Sequence, residues 1–411
     1  MRFGLRGPSL AAFVSVLSLA AAACGNSSSN NTTNVTVPAG LSVSSFDVNF
    51  TAMATLTSVT KGGSGLVGVI LPDTTSSTRY VSFDQPYLQK AFTMAGYSSS
   101  QFKIDNAQGN DATELAQAQA DITQGAKILI MDPLDSTVGS QIQQLAQSHG
   151  VKVISYDRAT FTGTNTYYVS FDNVQVGKLI GQGFLDCVKA WNVAKPQVFV
   201  LNGGEDTDPN AVSFAQGYNQ VIWGDSTTPQ QAGKTNSQGM TLVGDQVAPG
   251  WDNSKGQTIF QQQFTAHPNI NATVEANDGL ANAVVQVLQH SGVPAGKIPT
   301  TGQDATLDGM VNVLTGYQCG SVYKAVYLEA QDAVALATIL RAGLTPPTAL
   351  VNSTTSPPQG KPGNTQPASL LTPLWVDKSK VAATVIKDNF VDKATLCQKV
   401  TAAVCTANGI S

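Results

Sequence analysis

The chain has 411 residues, of which 42% are apolar and 12% charged, with a formal net charge of −4. That length and apolar content describe a globular protein large enough for two cored domains. The weak charge speaks against a basic nucleic-acid patch, and no run of like charges marks an acidic or basic tail.

Arg2 and Arg6 precede an apolar stretch over 10–23 that ends in small residues, the form of a secretion signal over 1–23. The stretch is too short to span a bilayer comfortably, and no later segment qualifies. Residues 19–25 read LAAAACG, which resembles a bacterial lipobox with Ala21 where leucine is commoner. The resemblance implies an exported protein whose Cys24 carries a lipid anchor at the outer face of the cytoplasmic membrane. A free Cys24 in a simple secreted protein is the alternative. Residues 26–40 are rich in Ser, Asn and Thr and read as a flexible tether, with 24–62 forming a tether and pre-domain segment.

From residue 66 onward, strands and helices alternate. LVGVILP (66–72), FKIDNA (102–107), KILIMDP (127–133), VKVISYD (151–157) and TYYVSFD (166–172) are strand-like. Helical spacing over 80–95, 111–125 and 136–150 separates the earlier runs. A helix over 174–191 follows, and the pattern restarts with QVFVLNG (197–203), MTLVGDQ (240–246), ATVEAND (272–278), PTTGQDA (299–305) and CGSVYK (319–324). Helices are expected at 210–222, 254–266, 279–291 and 306–315, then at 325–343. A Pro/Ser/Thr/Gly-rich stretch over 345–368 precedes LLTPLWVD (370–377) and a short terminal helical region. Such alternation predicts parallel βαβ units with right-handed crossovers. The expected architecture is α/β, with two Rossmann-like lobes facing each other across a cleft. The first lobe takes 63–172 with 326–352, the second 173–322 with 370–411. Three crossings join them, at 169–174, 322–326 and about 352–370.

Several apolar runs end abruptly in charged or amide residues. In open α/β sheets, ligands bind beyond the carboxyl ends of the strands. Beyond the signal only three arginines remain, Arg79, Arg158 and Arg341, and the first two sit just past strand-like runs.

Four cysteines follow Cys24: Cys187, Cys319, Cys397 and Cys405. An even number outside the cytoplasm favours disulfides. Cys397 and Cys405 are close in the chain and are paired, leaving Cys187 with Cys319. No CxxC motif accompanies them, and His149, His267 and His290 sit far apart near predicted helix ends, so no metal site or cofactor is expected.

The pieces LPDTTSSTRY, NAQGND, YDR, SFDN, LNGGEDTDPNA, VGDQ followed by Trp251, AND, TGQDA and VYK occur in an order and spacing that resembles the type I periplasmic sugar-binding proteins of ABC transporters. The pattern is most similar to the D-xylose-binding and multi-sugar-binding group, over most of 64–390. The stretch 41–62 and the four later cysteines resemble an actinobacterial lipoprotein branch. Two departures bear on sugar identity: Tyr80 stands where the family often has Trp, and Pro209-Asn210 replaces an Asn-Asn pair.

The resemblance implies a ligand site built from Arg79, Tyr80, Arg158, Asp208, Asn210, Trp251, Asn277, Asp304 and Lys324. Chemically the set suits a pyranose. Arginine offers a fixed fork of donors, aspartate only acceptors, and an aromatic ring covers the apolar sugar face. Each residue also fits a plainer role. Asp208, Asn277, Asp278 and Asp304 precede helices and fit as caps. Arg79 and Lys324 fit as solvated cations, Arg158 as a partner of Asp157, Asn210 as turn chemistry, and Trp251 as a core or lid residue. A buried Lys324 would need a carboxylate, with Asp304 the natural candidate. Gly203-Gly204 reads as a turn, because the spaced glycines of a nucleotide loop are missing.

The function expected is non-enzymatic capture of a monosaccharide by a monomer that hands it to an ABC permease. The same fold around an amino acid, a nucleoside or a signalling furanose is the second reading. A secreted hydrolase is the third, weakened by the absence of a nucleophile elbow. A gene regulator with the same core is disfavoured, because a signal stands where a helix-turn-helix would be.

Overall fold

The computed structural model describes Met1, residues 35–164 and residues 166–410. The signal segment, Cys24 and most of the tether lie outside the described residues.

Two short 3-10 turns, Val43–Ser45 and Thr51–Leu56, lead into α1 (Thr57–Gly62). Phe46, Phe50, Met53, Leu56 and Val59 from this stretch are buried in the same core as the first sheet. Residues 41–62 are therefore part of the lobe, not a segment ahead of it. Even Val35 and Val37, within the expected tether, pack against this core. Short 3-10 turns carry no sustained period, which is why the sequence pattern hid them.

The first lobe continues through β1 (Leu66–Leu71), α2 (Gln85–Met94), β2 (Phe102–Asn106), α3 (Asp111–Thr123), β3 (Ala126–Met131), α4 (Ser136–Ser148), β4 (Lys152–Tyr156) and β5 (Thr166–Phe171). The second lobe holds α5 (Asn173–Ala190), β6 (Gln197–Gly203), α6 (Pro209–Trp223), β7 (Thr241–Ala248), α7 (Asn253–Ala266), β8 (Ala272–Glu275), α8 (Asp278–His290), α9 (Leu307–Thr315) and β9 (Gly320–Tyr323). The chain then returns to the first lobe as α10 (Val326–Arg341), β10 (Ser353–Thr355) and β11 (Gln366–Leu371). It ends with β12 (Leu374–Asp377), α11 (Lys393–Val400) and α12 (Ala402–Ala407).

The first sheet has the order β10-β11-β5-β4-β3-β1-β2 and is parallel except for β10. Apolar strands buried by helices on both faces account for its near-continuous Val/Ile/Leu runs. The second sheet, β7-β6-β8, is parallel, and β9 pairs antiparallel with β12. The expected strand 299–305 is not one: it joins β9 through a single parallel bridge, Gln303 to Val322. Pro299 has no N–H to donate, and Asp304 and Ala305 turn out of the strand region with φ of 92° and 49°. The segment is held to β8 instead by the Glu275 side chain, which accepts the Thr301 N–H at 2.8 Å.

Three crossings join the lobes, β5 to α5, β9 to α10 and β11 to β12. The third falls at Thr372-Pro373, later than the expected 352–370, because β10 and β11 form a hairpin on the edge of the first sheet. The disulfides pair as expected. Cys187–Cys319 ties the end of α5 to the start of β9, and Cys397–Cys405 ties α11 to α12. Among the described residues no helix is long and apolar enough to cross a membrane.

Candidate functional site

The strand ends of both sheets meet around a small cavity. Ser76, Ser77, Arg79, Tyr80, Asp157 and Arg158 line it from the first lobe. Asn210, Phe214, Trp251, Asn277, Gln303, Asp304 and Lys324 line it from the second.

The loop after β1 is shaped by Asp73, whose Oδ1 accepts the N–H groups of Thr75 and Ser76 at 2.7 and 2.6 Å. Arg79 follows and is only 2% exposed. Its Nε and Nη2 fork onto Asp84 at 2.9 and 2.8 Å, its Nη1 donates to Asp157 at 2.9 Å, and Nη2 also donates to Glu329 at 2.9 Å. Arg79 is thus chiefly a buried hub that holds three carboxylates. Its charge is fixed: burial works against the guanidinium, but Asp157, Asp84 and Glu329 raise its pKa well above the ordinary value. Glu329, on α10, is pushed up to about 8 by burial, with Arg79 acting in the opposite direction.

At the end of β4 the backbone reverses through Asp157, with φ of 57°. Asp157 faces Arg79 and, at 3.4 Å, Lys324. Burial would raise this carboxyl, yet Arg79, Lys324 and Arg158 hold it well below the usual carboxylate range. Arg158 does not pair with Asp157 directly. Its Nε lies 3.3 Å from Asp208, and its Nη1 donates to the Pro133 carbonyl at 3.3 Å and lies 3.7 Å from Asp132. The guanidinium carbons of Arg79 and Arg158 stand 5.5 and 5.6 Å from the centre of the Tyr80 ring, within cation–π range of both charges.

In the second lobe, Asp208 caps α6 by accepting the N–H groups of Asn210 and Ala211 at 2.9 and 3.2 Å. Its other oxygen accepts the Trp251 indole N–H at 2.8 Å. Asp208 stands behind the cavity wall and holds Trp251 and Arg158 in place; it is both the cap and the brace. Trp251 lies against Gly203, where an added Cβ would come within 1.9 Å of the indole. The Gly-Gly turn therefore makes room for the ring. Phe214, one helical turn after Asn210, meets Trp251 at 6.2 Å and 68°, so the two rings form a corner. Asn210 Nδ2 donates to the Asp157 carbonyl at 3.0 Å, across the cleft. Asn277 caps α8 through the Leu280 N–H and also faces the cavity.

Asp304 is not a helix cap; Thr306 caps α9. One oxygen of Asp304 accepts the Ser77 hydroxyl at 3.2 Å, and the other lies 3.6 Å from Lys324, too far for a hydrogen bond. Lys324 is buried between Asp157 and Asp304. Sequence reasoning missed Ser76, Ser77, Asp157, Phe214 and Gln303 as lining residues. Two had a legible signal: Asp157 shares a strand tip with Arg158, and Phe214 sits at i+4 from Asn210. Among the described residues, no group of three or more His, Cys, Asp or Glu side chains is arranged to hold a metal ion.

Two parallel-sheet lobes, three crossings and a cavity at the strand tips lined from both lobes define a bilobal binding protein. The chain belongs to the periplasmic binding protein family, whose domain matches residues 67–344. It is 32% identical over 296 residues to the D-xylose-binding periplasmic protein of Escherichia coli (strain K12), covering 71% of this chain and 82% of that one. It is 29% identical over 335 residues to a multiple sugar-binding periplasmic receptor of Rhizobium radiobacter, covering 79% and 90%. The fold matches an ABC transporter solute-binding protein from Clostridium phytofermentans with bound β-D-glucose, with a TM-score of 0.68, 23% identity, and coverage of 80% and 99%. A carbohydrate transporter solute-binding protein from Chloroflexus aurantiacus in complex with D-glucose matches with a TM-score of 0.66, 24% identity, and coverage of 80% and 98%.

Proposed function

We propose that the protein captures a neutral aldose, of the D-xylose type, between its lobes and delivers it to an ABC importer. The observation that carries this reading is a pair of orphaned acceptors in an aromatic-walled cavity. Asp304 Oδ1 and Gln303 Oε1 are buried without a hydrogen-bond partner among the described residues. Both residues line the cavity beside the Trp251–Phe214 corner. A buried acceptor without a donor is costly, and sugar hydroxyls arrayed around an apolar ring face supply the donors.

Charge favours a neutral ligand over an amino acid. Arg79, Arg158 and Lys324 each already face carboxylates, so no cation is left to claim a ligand carboxylate. The binding residues come from both lobes, so ligand contacts favour the closed arrangement. Lipidation at Cys24 would keep the protein, acting as a monomer, at the outer face of the cytoplasmic membrane beside its permease.

Calorimetry of the folded protein against xylose, glucose, galactose, arabinose, ribose and fucose tests the proposal. Heat of binding with at least one aldopyranose is expected. Silence across the sugars, with binding to an amino acid or a nucleoside, would replace the reading.

A further inference from the structure

The hairpin between β10 and β11 does more than extend the sheet. Its ten-residue loop, 356–365, contains Pro357, Pro358 and Pro362, and proline fixes φ and stiffens the chain. The loop is fastened to the first lobe at its base. Ser356 and Thr365 hydroxyls meet at 2.8 Å, and the Asn364 N–H donates to the Phe161 carbonyl at 2.7 Å. At Gly363 φ is +142° and an added Cβ would lie 2.6 Å from Phe161 Cβ, so the loop runs flush against that residue.

The tip of the same loop is bonded to the second lobe. Gln216 on α6 donates its Nε2 to the Gln359 carbonyl at 3.0 Å and accepts the Gln359 N–H at 3.3 Å. The Ser226 hydroxyl donates to the Gln359 side-chain oxygen at 2.8 Å. Lys361 pairs with Asp206 at 3.1 Å. Gln216 is 8% exposed, so its reciprocal bonds are sheltered, whereas the Lys361 pair is exposed and contributes little. α6 is also the helix whose first turns carry Asn210 and Phe214 to the cavity.

We infer that loop 356–365 is a strap that latches α6 to the first lobe and biases the protein toward closure before any ligand arrives. Its bonds join residues on opposite sides of all three crossings. A rotation that parts the lobes must stretch or break them, which adds to the cost of opening. A ligand that binds only the closed form then binds to a state already more populated, and leaves it more slowly.

The test uses Gln216→Ala and, as a variant confined to the loop, Gln359→Gly with Lys361→Ala. Neither touches the cavity. Small-angle X-ray scattering of the ligand-free proteins should give a larger radius of gyration for Gln216→Ala than for the wild type. Superimposable profiles from folded wild type and both variants would overturn the latch. This arm needs no ligand. A second arm rests on the sugar reading above: stopped-flow release of the best-binding aldose should be faster in Gln216→Ala by roughly tenfold, as expected for two sheltered hydrogen bonds. Equal release rates from folded wild type and variant would also overturn it. If no sugar binds any form, the sugar reading fails while the scattering result still decides the strap.

Discussion

At the cavity, two residues of the same expected role divide into different jobs. Arg79 uses its fork on Asp84, Asp157 and Glu329 and is mainly architecture. Asp304 is the reverse, with one oxygen on Ser77 and the other free of hydrogen bonds. Its φ of 92° lies where asparagine is tolerated far better than alanine. Asp304→Asn should therefore keep the fold, since Lys324 retains Asp157 as a partner. It swaps an acceptor for a donor at the ligand face, and sugar binding should weaken by about 1–3 kcal/mol. Calorimetry beside a thermal melt checks this; wild-type affinity would place Asp304 outside the ligand contacts. Residue chemistry was largely legible at this scale, because strand-tip position and side-chain type are both written in the sequence. What was not legible was which donors and acceptors are already used internally. Asp84 and Glu329, which occupy Arg79, lie five positions on and far along the chain, and no local spacing announces them.

Among the elements, α10 is the most constrained. It packs across β3, β4 and β5, and nearly all of its residues are buried, including Glu329 and Asp332. Its strong helical pattern was plain in the sequence, but burial on every side could not be read from a stripe. Asp332 accepts the Ser369 hydroxyl, while its second oxygen has no hydrogen-bond partner among the described residues. Burial pushes this carboxyl up to about 8, against the smaller opposing effect of Ser369. The folded protein therefore holds a proton that the unfolded chain releases near the ordinary value of 3.8. Between about pH 4 and pH 8 the native state binds more protons, so stability falls as pH rises, by roughly 1.4 kcal/mol per pH unit for one such group. Asp332→Asn removes the titration and keeps an acceptor for Ser369. Urea unfolding from pH 5 to pH 8 should show a shallower decline in this variant. Parallel curves for variant and wild type would mean that Asp332 is already ionised in the native state.

The lobed architecture was the most legible property of the whole molecule, because alternating apolar runs and helical periods repeat over hundreds of residues. The pieces that escaped notice are those without a period: the 3-10 turns at 43–56, the bridge at 303, and the edge hairpin that moves the third crossing to 372–373. Each is held by long-range packing or pairing rather than by local pattern. The disulfide Cys187–Cys319 is long-range in the same sense, with a sequence separation of 132. Closing a loop of that length restricts the unfolded chain, a stabilisation of about 2–5 kcal/mol. The bond joins the end of α5 to the start of β9, whereas the cavity draws on Lys324 beyond the other end of β9. Stability and recognition should therefore separate. The double substitution Cys187→Ala with Cys319→Ala should lower the melting temperature markedly and leave sugar affinity within about twofold at 25 °C, since the strand tips keep their own hydrogen bonds. Differential scanning calorimetry and titration calorimetry on the same preparation would show it. A large loss of affinity in a protein still folded would mean that the far end of β9 sets the position of Lys324, and that the second lobe transmits strain along its whole length.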